Sequence, residues 1–353
     1  MAAPPLDGTQ GFSLRLYRLL LLAYPRAFRE EYGSEMALVF SDAYREASER
    51  HGTLGVVHLW NDVFVDVVKS ACLQWARHWR ERSGRDYALA GKDQFAMALQ
   101  FRLDVAQRTD VGRKRASNED NLVAVVPEEH QLLQEKGALF VVADGWGDHE
   151  HGVVASELTI RHVREAYYQN NEDDIPSNLR KAIKQANETI YRANETEHAQ
   201  GNSEFDMGAT CVAAVLHEQM LYAANIGDSR VYVLHEGHLR QVTLDHSLVA
   251  RMVERGEITP AEVRTHEKRD QIYRSLGVSE VEVDLFTEPV QEGDTLLLCT
   301  DGLWVLLEDD EMRAIIEHSG PEESVQRLIA RAIEAGGPDN VTAIVVRVSP
   351  TQA

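Results

Sequence analysis

Two apolar runs in this 353-residue chain end on the same pair: ALFVVADG closes on Asp144 and Gly145, and TLLLCTDG closes on Asp301 and Gly302. Asp339 stands in GGPDNVTAIVVRV just ahead of a third such run, and Glu119 and Asp120 sit together in RASNEDNL. Runs of this length read as buried strands, so the acids stand where core meets cleft. An ionised carboxylate there is costly unless it is paired or binds a metal. Several converging without a matching set of cations call for hard divalent ions as counter-charge.

The elements that must position these acids begin near Met97. FRLDVAQRTDVG, NLVAVVP, ALFVVADG, TCVAAVLHEQMLYAANIG and SRVYVLHEGHLRQV read as strand, the last with Glu236 and Gly237 supplying a hairpin turn. Helical patterning falls at Val153 to Gln169, Asn178 to Gln200, His246 to Arg255, Glu308 to His318 and Glu322 to Gly336. Strands and helices are partly segregated, which predicts an α+β sandwich rather than a doubly wound parallel sheet. Ahead of this region the pattern is helical. Leu16, Leu19, Leu20 and Ala23 share a face before Pro25; Phe28, Tyr32, Met36, Val39, Phe40 and Ala43 share a second; Trp60 to Trp75 carry a third. A helical module with its linker is expected over residues 1–92 and the larger domain over 93–353.

Seven segments in order, RTDVGRKRASNED, VVADGWGDHEHG, MGATCVAAVL, ANIGDSRVYVL, LDHSLVARMVERGEITPAEVRTHEKR, LLLCTDGLWVLL and GGPDNVTAIVV, resemble the motifs of the metal-dependent protein serine/threonine phosphatases, the PPM family, in its bacterial form. The resemblance covers about Leu99 to Val348. It implies an α-β-β-α sandwich of two antiparallel sheets flanked by helices, preceded here by a small all-α domain. It also implies hydrolysis of phosphoserine and phosphothreonine on proteins by a hydroxide bridging two Mg or Mn ions. Asp144 would bridge the ions, Asp301 and Asp339 would complete one site, and the Gly145 carbonyl would reach the other. Glu119 and Asp120 would steady metal-held waters, and Asp228 in GDSR matches the acid of a third, weaker metal site; a turn-capping role serves Asp228 equally well. Arg115 falls where the family grips the substrate phosphate, a task suited to a planar, bidentate guanidinium. Oxygen ligands without a His or Cys set favour Mg or Mn over zinc.

The loop after Asp144 departs from the family. Trp146 occupies the place of a histidine in eukaryotic relatives and of a methionine in bacterial ones, and Asp148 replaces a glycine. His149 keeps the place of the bacterial histidine, with a general-acid role or a loop-packing role open to it. Between Asp245 and Gly277, HEKRDQIYRSLG stands where the family has its mobile flap. The competing class is a catalytically silent phosphatase-like domain that binds phosphoproteins; such domains lose metal acids, and this chain keeps them.

Composition bounds the partners. The formal net charge is -21, and residues 1 to 95 carry 12 basic and 12 acidic residues, leaving 24 basic and 45 acidic for the rest. Such a surface repels nucleic acid and anionic lipid, so no nucleic-acid partner is expected. Cys72, Cys211 and Cys299 show no paired spacing, as in reduced cytosolic thiols. Without a signal-peptide pattern at Met1 to Phe12, a cytoplasmic protein is expected. Residues 13 to 82 further resemble the prefix module found ahead of some bacterial permeases, which implies a protein or membrane-protein partner and a membrane-proximal location. The other partners expected are phosphorylated proteins, the targets of a serine/threonine kinase.

Overall fold

The computed structural model describes residues 101–147, 151–170, 174–202 and 206–350, with single residues between Ser13 and Trp60. The chain divides into compact units at Met1–Ala96 and Met97–Ala353. In the first unit, the described residues Tyr17, Phe40, Tyr44 and Trp60 are helical. The Tyr17 and Phe40 rings stack with centroids 4.2 Å apart, and Trp60 tilts against Phe40 at 5.2 Å. Aromatic contacts of this kind bring Tyr17, Phe40 and Trp60 together.

The second unit runs β1 (Phe101–Asp110), β2 (Asp120–Val125), α1 (His130–Lys136), β3 (Ala138–Gly147), α2 (His151–Gln169) and α3 (Ile175–Ala199). It continues with β4 (Met207–Ala209), β5 (Cys211–His217), β6 (Met220–Ile226), β7 (Arg230–His235), β8 (His238–Gln241) and α4 (Leu248–Glu254). After a 3₁₀ turn at Pro260–Thr265 come β9 (Asp284–Pro289), β10 (Thr295–Cys299), α5 (Asp301–Trp304), α6 (Asp309–His318), α7 (Pro321–Glu334) and β11 (Val341–Pro350). One sheet has the order β1-β11-β10-β7-β8; the other has β2-β3-β5-β6-β9, with β4 on the end of β3. Every pairing is antiparallel.

The period of two along each strand explains the layers. In β3, Ala138, Phe140 and Val142 face the opposite sheet, meeting Leu296, Leu298, Ile344 and Val346. Leu139, Val141 and Ala143 face α2 and α3, where Val163, Tyr167, Leu179 and Ile183 are buried. In the other sheet, Leu297, Cys299, Ala343 and Val345 pack on Trp304, Ile316, Leu328 and Ile329 of α5, α6 and α7. Each central strand is covered on both faces, which is why these segments read as continuous apolar runs. The α-β-β-α sandwich expected from sequence is the observed fold.

Several details differ from the sequence reading. The segment from Thr210 to Gly227 is two strands, β5 and β6, joined at Glu218, whose φ is 52°. The Glu236-Gly237 hairpin forms as expected, with φ of 46° and 76° at the turn, the handedness that matches strand twist. Asp144 does not end its strand. The run continues to Gly147, exchanging β5 for β4 as its partner. Short elements α1, β4 and β9 carry too few periodic residues to announce themselves. No helix among the described residues is long and apolar enough to cross a membrane.

Candidate active site

Residues of alternating parity carry the inter-sheet face of each strand out of the core and into one cleft. Beyond Phe140 and Val142 the same face of β3 presents Asp144. Asp120, which starts β2, pairs with Asp144 across the ladder. Beyond Leu296 and Leu298 comes Thr300, whose Oγ1 donates to Asp120 Oδ2 at 2.8 Å. Asp301 follows as the first residue of α5. The Thr210 hydroxyl accepts from Asp144 N–H at 3.0 Å and bonds Ser229 Oγ at 2.8 Å, while Thr210 N–H donates to Asp144 O at 2.8 Å. These bonds fix the point at which β3 changes partner.

The loop from Val111 to Glu119 is held to the start of β11 by one side chain. Buried Asn340 accepts from Glu119 N–H at 2.8 Å and donates to Val111 O at 2.9 Å and Ser117 O at 3.0 Å. Gly112, at φ 78°, lies so close to Asp339 O that a Cβ would meet it at 2.1 Å. Arg115 and Asp339 are thereby brought together: Nε to Oδ1 is 2.8 Å and Nη2 to Oδ2 is 2.9 Å, a bidentate pair, with Glu119 Oε2 3.6 Å from Nη1. Asn340 was not singled out from sequence, although it stands beside Asp339. Asn340→Ala is expected to cost about 2–3 kcal/mol of stability, since it removes three hydrogen bonds to part-buried backbone groups. Thermal unfolding measures this, and a change below about 0.5 kcal/mol would show that water replaces the side chain.

Arg115, Glu119, Asp144, Gly145, Asp228, Asp301 and Asp339 line a single cleft of about 1290 Å³. Asp120 lies beneath it, 6% exposed, rather than on its surface. Gly145 abuts Gly152 of α2: a Cβ at residue 145 would sit 1.9 Å from Gly152 O, so only glycine fits. His149 lies outside the described residues. Asp228, 5% exposed, takes an indole bond to its carbonyl from Trp304 Nε1 at 2.9 Å. The Arg230 guanidinium lies 3.4 Å from the Trp304 ring centroid and pairs with buried Asp245, whose nearer oxygen is 2.6 Å from Nη2. Sequence reasoning missed Thr210, Trp304 and Arg230, and only the indole in CTDGLW offered a signal.

The acids are short of counter-charge. Burial, and then the charges of neighbouring acids, hold Asp144 and Asp228 well above the usual carboxylate range. Asp120 is pushed up to about 7 by burial, against the opposing pull of hydroxyl bonds from Thr342 and Thr300. Asp301 is pushed up to about 6 by burial and the Asp339 charge. Glu119 is also raised, chiefly by burial. Cationic Arg269 and Arg274 line the cleft too. Arg269 pairs with Asp270, and Arg274 with Asp284 and Glu282.

Asp120 Oδ1 and Asp301 Oδ1 are buried without a hydrogen-bond partner. Orphaned carboxylate oxygens beside further acids fit a hard divalent cation, and among the described residues no His or Cys lines the cleft to favour zinc. Among the described residues, no three His, Cys, Asp or Glu side chains are gathered tightly enough to hold an ion unaided. Magnesium-type sites use one or two carboxylates per ion and complete the shell with water. Asp339 moreover is drawn toward Arg115.

The segment after β8 closes one side of the cleft and is tied down at several points. Leu248 N–H donates to Gln271 O, Tyr273 N–H to His246 O, and Leu276 N–H to Ala209 O, each at 2.8 Å. His246 accepts at Nδ1 from Gly227 N–H at 3.1 Å, next to Asp228. Arg264 reaches Trp304 O at 2.7 Å and Asp309 at 2.7 Å.

The family model described as Protein phosphatase 2C matches residues 113–330. The serine/threonine phosphatase stp of Listeria monocytogenes is 38% identical over 251 residues, covering 69% of this chain and 96% of that protein. The serine/threonine protein phosphatase PstP of Mycobacterium tuberculosis is 36% identical over 248 residues, 70% of this chain and 45% of that one. A crystal structure of the PstP catalytic domain in complex with two manganese ions superposes with a TM-score of 0.61 at 35% identity, covering 70% of this chain and 98% of that one.

Proposed function

Because this chain belongs to the protein phosphatase 2C family and hydrolyses phosphoserine and phosphothreonine on proteins with divalent metal, we propose a division of labour among its cleft residues. The observation that carries it is the crowding of Asp144, Asp301 and Asp228 beside an arginine-gripped Asp339 in one cleft. Asp144, Asp301, Asp339 and the Gly145 carbonyl hold two Mg or Mn ions, and Asp228 serves a third. Bound there, the ions supply Lewis acidity, acidify water and offset phosphate charge.

Asp120, below the cleft, keeps Asp144 and Thr300 in register, and Glu119 orients water at the rim. Arg115 takes the substrate phosphate. To do so its guanidinium exchanges the Asp339 carboxylate for phosphate oxygens, a like-for-like bidentate replacement. His149 is the proposed proton donor to the leaving alkoxide.

Arg115→Ala is expected to raise KM for a phosphothreonine peptide about 10- to 100-fold, the worth of one charge-assisted pair of about 1.5–3 kcal/mol. Manganese affinity, read by calorimetry, should hold or tighten, because Asp339 loses its competing partner. Weakened manganese binding would instead make Arg115 a support for the metal site.

Residues 1–92 are proposed as an accessory helical module for a protein or membrane-protein partner, joined to a phosphatase domain over 93–353. The aromatic packing of Tyr17, Phe40 and Trp60 supports a folded helical unit. Action in the cytoplasm on targets of a serine/threonine kinase is part of the proposal, supported by the activity and by the cysteine spacing.

A further inference from the structure

Seven large hydrophobic side chains are exposed among the described residues, and three of them, Trp146, Tyr273 and Val278, line the acid cleft. Single exposed hydrophobics are ordinary. Three lining one polar cleft, at 41%, 38% and 40% exposure, offer apolar surface beside the acids.

Each is held in place. Trp146 lies opposite Gly208 in the β3–β4 ladder, and its indole packs against that glycine: a Cβ at residue 208 would meet Cε2 and Cζ2 at 2.5 Å. The indole therefore rests on backbone, with no side chain beneath it to yield. Val278 is pinned by Asn187 of α3, which accepts from Gly277 N–H at 2.9 Å and donates to Val278 O at 2.8 Å. The Arg251 guanidinium lies 3.5 Å from the Tyr273 ring centroid. Apolar surface already fixed costs little entropy when a ligand covers it.

Its place relative to the chemistry names the occupant. Asp144 and Trp146 are two residues apart on one strand, so they project to the same side, about 7 Å from each other. An extended peptide advances about 3.3–3.6 Å per residue. A side chain within about two residues of the phosphorylated one therefore reaches the indole.

Resting on the phosphatase reading, we propose that Trp146, with Val278 and Tyr273, forms an apolar subsite that selects substrates carrying a large apolar side chain close to the phosphoresidue. Trp146 is then a specificity-determining residue, set where the sequence departs from its family.

The test uses the full chain with manganese and phosphothreonine peptides of Ala and Ser, with one Leu walked from three residues before the phosphothreonine to three after. One or two positions should raise kcat/KM about 5- to 10-fold, the worth of partly burying a leucine. In Trp146→Ala and in Val278→Ser the preference should fall below about twofold. Val278→Ser stands alone if the tryptophan variant does not fold. A flat profile in the unaltered protein, or a preference that survives both substitutions, overturns the subsite. Hydrolysis of para-nitrophenyl phosphate, which has no flanking residues, separates the two levels: turnover of it with a flat peptide profile rejects the subsite alone, and turnover of neither substrate rejects the phosphatase reading and the subsite with it.

Discussion

Asp144→Asn and Asp301→Asn, made separately, are expected to lower turnover of a phosphothreonine peptide by at least about a thousandfold, equivalent to about 4 kcal/mol. Both changes keep side-chain shape and remove one negative charge from the cleft floor. The carboxamide also turns an N–H donor toward the place where a cation must sit. The same substitutions should make the chelated protein more stable, because burial and like charge already oppose ionisation at both positions. Relief of about 1 kcal/mol would raise Tm by about 2–4 °C in a unit of this size. Loss of activity joined to gain of stability is the signature of a ligand held at a structural cost. A purely architectural acid would lose both, so parallel activity and melting measurements decide between them.

Removing the metal should make stability depend on pH in an unusual direction. Asp120 and Asp301, at about 7 and about 6 in the folded chain, and Asp144 and Asp228, held well above the usual carboxylate range by burial, hold protons that the unfolded chain releases near 4. Their contribution is full below pH 4 and is lost as pH rises through 6 and 7. His246 and His162, both held below the usual range chiefly by burial, act in the opposite sense below about 6.5, while Glu119, raised by burial, acts with the aspartates. Asp284, whose carboxyl stays below the usual range against its own desolvation through bonds from His246 and Arg274, loses its contribution only in stronger acid. The chelated protein is therefore expected to melt several degrees higher at pH 5.5 than at pH 7.5, a difference on the order of a few kcal/mol. Saturating manganese should close or reverse that gap, since it binds the ionised acids and stabilises by mass action. Equal melting at both pH values in chelator would place the acids in contact with bulk water.

The site acids were legible because each sits at a change of texture. Asp144 and Asp301 follow runs buried on both faces, and such runs have few explanations other than central strands. Their partners were less legible for a physical reason. Asn340 acts through bonds to backbone 221 to 229 positions away in the chain, and no local pattern encodes such a contact. The Arg115–Asp339 pair spans 224 positions. Family resemblance brought the two residues to one site, but only the structure shows them holding each other. Trp146 is the mirror case. The sequence flagged it as a departure, and the absence of a side chain at Gly208, a fact of the opposite strand, explains how an indole fits there.

The position of β11 has a bearing on when the enzyme can act. It lies between β1 and β10 in the interior of its sheet, and Asn340 and Asp339 immediately precede it. Its partner β1 precedes it by more than 200 residues, so this pairing is among the most distant contacts in the unit and among the slowest to form. During synthesis, a ribosome must release β11 before the sheet that contains it can be completed, whereas the other sheet ends with β9. A partly made chain thus carries Arg115, Glu119 and Asp144 without Asp339 and Asn340, so the cleft is complete only once translation of this unit is done.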